Sequence, residues 1–343
     1  MRIVVDAMGS DQNPGPDVEG SVLAAREYGE TIVLVGDQAR VEQELSRHAT
    51  SGLPIEVVHA PEQVTMEDKP GVVGRSKPGS SMHVGMRLVQ EGRGDAFVTA
   101  GNTGAALAIA TLQTLRRIPG VHRPALSTIL SLHGQSMILL DIGASTDCRP
   151  EWLAQFAVMG GVYAERALGK TSARVALLSN GEEEGKGSTL VQESAELLSR
   201  SGVNFIGNVE PKDVLSNKAD VIVMDGFVGN VMIKTLEAMS RTLFGLIRQE
   251  LTSDLRSKVG GLLSRPAFRR VYSQVDPFEI GGAPMLGVNG VVIIGHGRSN
   301  AMAIKNAIRQ ARSAVNGQIV EAIREGIEQS SPAASSRDQD TSE

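Results

Sequence analysis

Short apolar, β-branched runs recur along the chain, with amphipathic stretches between them. The runs at residues 3–6, 31–35, 55–59, 96–99, 174–178, 221–224 and 291–294 are apolar almost throughout, not alternating. That pattern predicts strands covered on both faces, as in a mainly parallel sheet. Residues 127–132 and 136–140 differ, because only His133-Gly134-Gln135 separates them. The gap is too short for a crossover and predicts an antiparallel hairpin. The expected architecture is therefore α/β, with a mixed, mainly parallel sheet flanked by helices. Neither an internal repeat nor a linker is visible, so residues 1–328 read as one α/β domain. The polar segment 329–343 reads as a disordered tail.

One stretch departs from the alternation. From about 230 to 275 the sequence holds no strand pattern. Met232, Leu236, Met239, Leu243, Ile247 and Leu251 follow the three- and four-residue spacing of a long amphipathic helix. Lys258-Val259-Gly260-Gly261-Leu262-Leu263 interrupts it, and Phe268-Arg269-Arg270-Val271-Tyr272 resumes it. This predicts a projecting helical hairpin with Val259, Leu262 and Leu263 at an apolar tip. Between Arg241 and Arg270 there are seven Lys or Arg residues against Glu250 and Asp254, in a chain whose formal charge is −5. A basic, apolar-tipped hairpin suits an anionic membrane surface. The plainer reading makes the stripe a dimer interface. The two are compatible, with the stripe for a partner subunit and the tip for lipid.

Composition narrows the function classes. Aromatic residues make up 3% with one Trp, which argues against stacking platforms for nucleic acid. The acidic balance argues the same way, so no nucleic-acid partner is expected. The single Cys148 excludes an intrachain disulfide and points to a reducing compartment. Arg2 and Asp6 make the start too charged for a secretory signal. The expected location is the cytoplasm, with contact to a membrane at its surface. The six His residues show no metal spacing, so no metal is expected, and nothing calls for a cofactor.

The candidate chemistry lies at strand–loop–helix corners, where backbone N–H groups turn toward an anion. One reads Ser179-Asn180-Gly181-Glu182-Glu183-Glu184-Gly185-Lys186-Gly187. Its glutamates fit a solvated helix start. Lys186 is a cation near a helix N-terminus, a placement easier to understand if an anion occupies the site. A second corner is Asp225-Gly226-Phe227-Val228-Gly229-Asn230, where Asn230 either caps the long helix, offers its amide to a substrate oxygen, or does both. In a third, Gly101-Asn102-Thr103-Gly104, small donors adjoin two glycines, and Thr103 as a helix cap is the plainer reading. Arg75-Ser76-Lys77-Pro78-Gly79-Ser80-Ser81 is either a second anion contact or a capped helix with a basic flank. Gly281-Gly282-Ala283-Pro284 and Gly295-His296-Gly297 complete the set. Cys148 follows a strand and could serve as a nucleophile, but a small buried thiol is the plainer reading. No G-x-S-x-G elbow is present.

Taken in order, Asp6-Ala7-Met8-Gly9, Gly101-Asn102-Thr103-Gly104-Ala105, Leu140-Asp141-Ile142-Gly143-Ala144, Ser179-Asn180-Gly181-Glu182-Glu183, Gly207-Asn208-Val209-Glu210-Pro211 and Asp225–Asn230 resemble the bacterial phosphate acyltransferase (PlsX) family. The resemblance runs from residue 1 to about 328. Ser10 and Ser145 stand where the family usually has Gly and Asn. The resemblance implies transfer of a fatty acyl group from acyl-carrier protein to inorganic phosphate, giving an acyl phosphate for phospholipid synthesis. It also implies an isocitrate/isopropylmalate dehydrogenase-like fold, a homodimer, loose membrane association, and a downstream glycerol-phosphate acyltransferase as partner. It places the catalytic roles on Lys186 and Asn230, and Gly101, Asn102, Thr103, Gly104, Asn180, Gly181 and Asp225 are expected to hold phosphate or substrate. The rival readings are a coenzyme A-dependent phosphotransacetylase, a dehydrogenase of similar fold, and a non-catalytic membrane scaffold.

Overall fold

The computed structural model describes residues 1–132, 134–275, 279 and 281–330. Eleven strands form one sheet in the order β3-β2-β1-β4-β11-β10-β5-β6-β9-β7-β8. They are β1 (Arg2–Asp6), β2 (Thr31–Gly36), β3 (Ile55–His59), β4 (Ala96–Thr99), β5 (Ala125–Leu132), β6 (Gln135–Leu140), β7 (Val175–Leu178), β8 (Phe205–Val209), β9 (Val221–Val223), β10 (Ala283–Leu286) and β11 (Val291–Ile294). The first five in sheet order are parallel to one another, and so are β6, β9, β7 and β8. β10 and β5 pair antiparallel with each other and with their outer neighbours. The two parallel blocks therefore run in opposite directions.

Near-continuous apolar character follows from cover on both faces. In β1, Ile3 and Val5 join one core and Val4 the other, and all three are fully buried. The first core takes Val18 and Val22 of α1 (Gly15–Tyr28), Phe156 and Tyr163 of α6 (Pro150–Leu168), and Ile304 and Ile308 of the helix Ala301–Asn316. The second takes Met82 and Met86 of α4 (Ser81–Gln90) and Ala105 and Ala106 of α5 (Thr103–Ala108). Each fully buried aliphatic side chain contributes about 1.5–3 kcal/mol. The short helices α2 (Gln38–Leu45) and α3 (Pro70–Ser76) complete the first block.

The hairpin of β5 and β6 forms as expected, with Ser127 opposite Leu140. Two strands carried no legible pattern. β8 is an edge strand interrupted at Gly207 (φ +94), where its pairing with β7 shifts by one residue. β10 contains Pro284 and follows two glycines, composition that argues against a central strand. The expected corner at Gly281–Pro284 is thus half strand: Ala283 and Pro284 pair with β11.

The helical hairpin consists of α8 (Gly226–Leu251) and α9 (Leu255–Val275), so it begins before residue 230. Its turn is Thr252-Ser253-Asp254, not the Lys258–Leu263 segment. The hydroxyls of Thr252 and Ser253 bond back to carbonyls of the last turn of α8, and Asp254 accepts from the Ser257 N–H at 2.9 Å. That local polar chemistry ends one helix and caps the next, whereas Gly260 and Gly261 lie inside α9. Val259, Leu262 and Leu263 therefore sit in the turns of α9 just beyond the bend. Leu262 and Leu263 remain 69% and 77% exposed. α7 (Thr189–Leu198), α10 (Ala301–Asn316) and α11 (Ile319–Ser330) are the other α-helices among the described residues. The predicted tail lies outside the described residues beyond Ser330. Among the described residues, no helix is long and apolar enough to cross a membrane.

Candidate active site

In the second block, β7 pairs outward with β8 and inward with β9. The chain thus reverses its order of growth between β7 and β9, and the crevice beyond the carboxyl ends of such strands is where α/β sheets bind ligands. Three loops leave this edge side by side: residues 141–149 after β6, 179–188 after β7 and 224–225 after β9.

Asp141 organises the first. Its buried carboxylate accepts from the N–H groups of Leu126, Gly143, Ala144 and Ser145 at 2.7–3.1 Å. Burial pushes this carboxyl up, and the backbone donors oppose the shift. The loop it winds is the seat of α8. A Cβ at Gly229 would stand 1.9 Å from the Asp141 carbonyl oxygen, and one at Gly226 2.7 Å from that of Ser145. Glycine at both positions lets the helix N-terminus descend onto the loop. Asp225, not Asn230, caps α8, accepting from the Phe227 and Val228 N–H groups at 2.9 Å each. Asn230 is the fifth residue of α8, exposed and beside Gly143, so its carboxamide is not needed for the cap.

Lys186 lies two residues before Ser188, the cap of α7. Its stem crosses Gly181, where a Cβ would stand 3.0 Å from Lys186 Cγ. The ammonium makes no ion pair among the described residues. Of the neighbouring glutamates, Glu182 is not merely solvated. It pairs with Lys218 at 2.6 Å and Lys212 at 3.3 Å, which fastens the loop to the segment after β8. Asn180 is exposed at the start of the loop. Cys148 is half-buried, its thiol facing the Ser145 carbonyl oxygen at 3.2 Å, and burial pushes it up to about 12.

The Gly101–Gly104 corner belongs to the other block, at the corresponding reversal between β1 and β4. Here Thr99 Oγ1 donates to buried Asp6 at 2.8 Å and accepts from the Gly101 N–H at 3.0 Å. Burial pushes Asp6 up, against the hydroxyls of Ser81 and Thr99. Asn102, not Thr103, caps α5. Its amide nitrogen is directed to the carbonyls of Thr65, Met66 and Asp68. Thr103 is exposed, and Gly104 packs against Pro70. The Arg75–Ser81 segment takes the capped-helix form: Lys77 pairs with Asp68 at 2.6 Å and Ser80 caps α4. In the same block, Asp17 is fully buried, holds the Ser10 hydroxyl at 2.5 Å, and is pushed up to about 8 by burial.

The structure therefore gathers Lys186, Asn180, Gly181, Asp225 and Asn230 at one crevice. Gly101, Asn102, Thr103 and Gly104 stand at the crevice of the opposite block. Ile142 and Ala144 of the Asp141 loop pack against the same apolar cluster as Ala105, Ala106 and Leu107, which links the two. Residue-level reading missed Asp141, Asp6 and Asp17 as organisers. Each is a carboxylate next to small residues and glycines, a signal too common to single out. Among the described residues, no group of His, Cys, Asp and Glu could hold a metal ion.

Residues 1–322 match a family described as "Fatty acid synthesis protein". The phosphate acyltransferase of Syntrophotalea carbinolica is 48% identical over 92% of this chain and 91% of its own length. That of Pelotomaculum thermopropionicum is 45% identical over 96% and 95%. This chain belongs to the phosphate acyltransferase family. Members of this family are acyltransferase enzymes, and the sequence resemblance to it holds. Solved structures show the same fold at low identity. A phosphotransacetylase from Streptococcus pyogenes aligns with a TM-score of 0.60 at 16% identity, covering 94% of each chain. A branched-chain phosphotransacylase from Enterococcus faecalis gives 0.60 at 15%, covering 92% of this chain and 99% of that one. A 4-hydroxythreonine-4-phosphate dehydrogenase from Klebsiella pneumoniae gives 0.50 at 16%, covering 91% and 99%. The fold of this phosphate acyltransferase family member is thus shared with acyl-transferring and dehydrogenase enzymes.

Proposed function

We propose that the protein transfers a fatty acyl group from acyl-carrier protein to inorganic phosphate, releasing an acyl phosphate for phospholipid synthesis. The observation that carries this reading is the crevice between β7 and β9, where Lys186, without an ion pair among the described residues, and the exposed Asn230 carboxamide stand beside the N-termini of α7 and α8. A phosphate held there by Lys186 and the loop N–H groups gains proximity to a thioester carbonyl. A phosphate oxygen attacks the carbonyl carbon. Asn230 donates to the oxyanion that forms. On collapse the C–S bond breaks, and the thiolate leaves with the electron pair and takes a proton from solvent.

The attack is direct. Cys148 has a thiol pushed up to about 12 and is poorly suited as a nucleophile at neutral pH. Cys148→Ala is expected to retain turnover, and a labelled acyl group trapped on this residue would overturn direct displacement. The exposed stripe of α8 is assigned to a homodimer and the region around Leu262 and Leu263 to an anionic membrane surface. From there the acyl phosphate passes to a glycerol-phosphate acyltransferase. The test is phosphate-dependent release of free thiol from acyl-carrier protein. Consumption of acyl-coenzyme A alone would make the protein a phosphotransacetylase, and no thioester loss with either donor would make it a scaffold.

A further inference from the structure

Between Asp95 and Asp141 the sequence holds no acidic residue, in a chain whose formal charge is −5. Arg116, Arg117 and Arg123 lie in that stretch, on the loop that leads into β5. The loop is fixed from two sides. Toward the β10–β11 turn, the Ile118 N–H donates to the Gly287 carbonyl at 3.0 Å, and the Asn289 N–H donates to that of Arg116 at 2.9 Å. Toward α6, the Gln155 side chain accepts from the His122 N–H and donates to the Gly120 carbonyl, each at 2.9 Å. Ile118 and Val121 are buried, while Arg116, Arg117 and Arg123 are exposed. Each guanidinium is held without being neutralised. Arg116 donates to the Leu112 carbonyl and Arg117 to that of His122. Arg123 lies 4.9 Å from the centre of the Trp152 ring, and Arg149 lies 5.9 Å from the same ring. A guanidinium that stacks on an aromatic face or bonds a neutral carbonyl keeps its charge and most of its donors. None of the four makes an ion pair among the described residues, although Asp147 and Glu151 are exposed two residues to either side of Arg149. Arg149 ends the loop that follows β6, and the start of that loop places Gly143 beside Asn230. The four cations therefore adjoin the crevice along this loop.

We propose that Arg116, Arg117, Arg123 and Arg149 form the docking surface for an acidic protein, the carrier protein that delivers the thioester. The proposal rests on the function proposed above, which makes a carrier protein the donor. A carrier-bound acyl group reaches Lys186 and Asn230 on a flexible arm, so the carrier itself has to be held beside the crevice and not inside it. A fixed cationic patch at the crevice border does this for an acidic partner and steers its approach. Guanidiniums already held by carbonyls and a ring lose little side-chain freedom on docking. None of the four lies on the hairpin.

The test measures equilibrium binding of acyl-carrier protein to the full chain in phosphate-free buffer. Binding is expected to weaken as salt is raised. The double substitution Arg117→Gln with Arg123→Gln is expected to weaken it about tenfold or more. Arg117→Lys with Arg123→Lys keeps the charge and is expected to restore most of the binding. In thiol-release kinetics the Gln variant is expected to raise KM for acyl-carrier protein with kcat little changed. Release from S-acyl pantetheine, an uncharged donor without a carrier, is expected to match that of the unsubstituted chain. Equal loss on S-acyl pantetheine overturns the proposal, because the arginines then support the crevice itself. Unchanged carrier binding in the Gln variant overturns it as well. So does carrier binding that persists while flotation with anionic vesicles is lost, because the patch then faces lipid. Sedimentation showing that the substitutions dissociate a dimer overturns it by assigning the patch to a second copy. Binding is read apart from turnover: arginine-dependent carrier binding without thiol release removes only the proposed reaction, and thiol release from a carrier that ignores the arginines removes only the docking surface.

Discussion

Four backbone N–H groups converge on the single carboxylate of Asp141, so this residue shapes the loop on which α8 and Asn230 rest while standing outside the chemistry. Lys186 lies on a loop and Asn230 on the exposed side of α8, and neither side chain makes a hydrogen bond or ion pair among the described residues. Lys186→Ala and Asn230→Ala are therefore expected to leave the fold intact and to lower turnover about 100- to 1000-fold each, the usual loss for one oxyanion donor. Thiol-release kinetics on folded variants check this, and near-normal turnover removes that residue from the site. Asp17 makes a separate prediction. Its carboxyl rises from 3.8 to about 8 on burial, so the folded state holds a proton that the unfolded state sheds. The stabilisation is complete below the unfolded value and is lost as pH climbs from about 4 toward 8, at up to about 1.4 kcal/mol per pH unit. Asp17→Asn should flatten the dependence of Tm on pH across that window. An unchanged slope would show that Asp17 ionises normally in the fold.

At the scale of elements, the two glycines that open α8 and the glycine in its middle have opposite meanings. A Cβ at Gly229 meets the Asp141 backbone at 1.9 Å, and one at Gly245 meets nothing within 4 Å. Gly229→Ala should destabilise by about 1–3 kcal/mol or more, because backbone must move, and should depress turnover by displacing Asn230. Gly245→Ala should stabilise by about 0.5–1 kcal/mol through helix propensity alone. Urea unfolding of the pair reads both signs. The same contrast explains what was legible in the sequence. Strands buried on both faces announce themselves as apolar runs, and β1, β4 and β11 fall where those runs lie. β10 and β8 were hidden because glycine, proline and asparagine mask a strand whose partners, not its own composition, hold it in the sheet. The hairpin bend was misplaced because Gly260-Gly261 is a stronger sequence signal than Thr252-Ser253-Asp254. The hydrogen bonds that end α8 are made by the weaker-looking triplet. The corner containing Lys186 was legible from strand, glycine loop and helix. That Gly101–Gly104 serves a different block from Lys186 was not, since only sheet order reveals it.

At the scale of the molecule, the hairpin leaves the sheet with no fully buried side chain after Gly229 in α8. Leu262→Glu with Leu263→Glu is expected to abolish binding to anionic vesicles and to preserve the dimer and turnover on soluble acyl-carrier protein. Flotation with vesicles and sedimentation of the free protein separate the outcomes. Unchanged flotation excludes lipid contact, and loss of the dimer returns this region to the subunit interface. The sheet order has a further consequence. β4 must wait for β11 to cover its open side, and Arg312 reaches back to Glu30 at 3.0 Å. During synthesis on the ribosome, the first block therefore emerges with its central edge bare and stays so while all of β5 through α9 is made. Closure comes only when nearly the whole chain is out, which imposes the long-range pairing that slows folding and leaves an unpaired strand open to wrong partners. The newborn chain is thus an early customer for the chaperones that shield such edges, and a stalled or truncated translation product ending before Val291 would go to proteolysis, with no half-enzyme left behind.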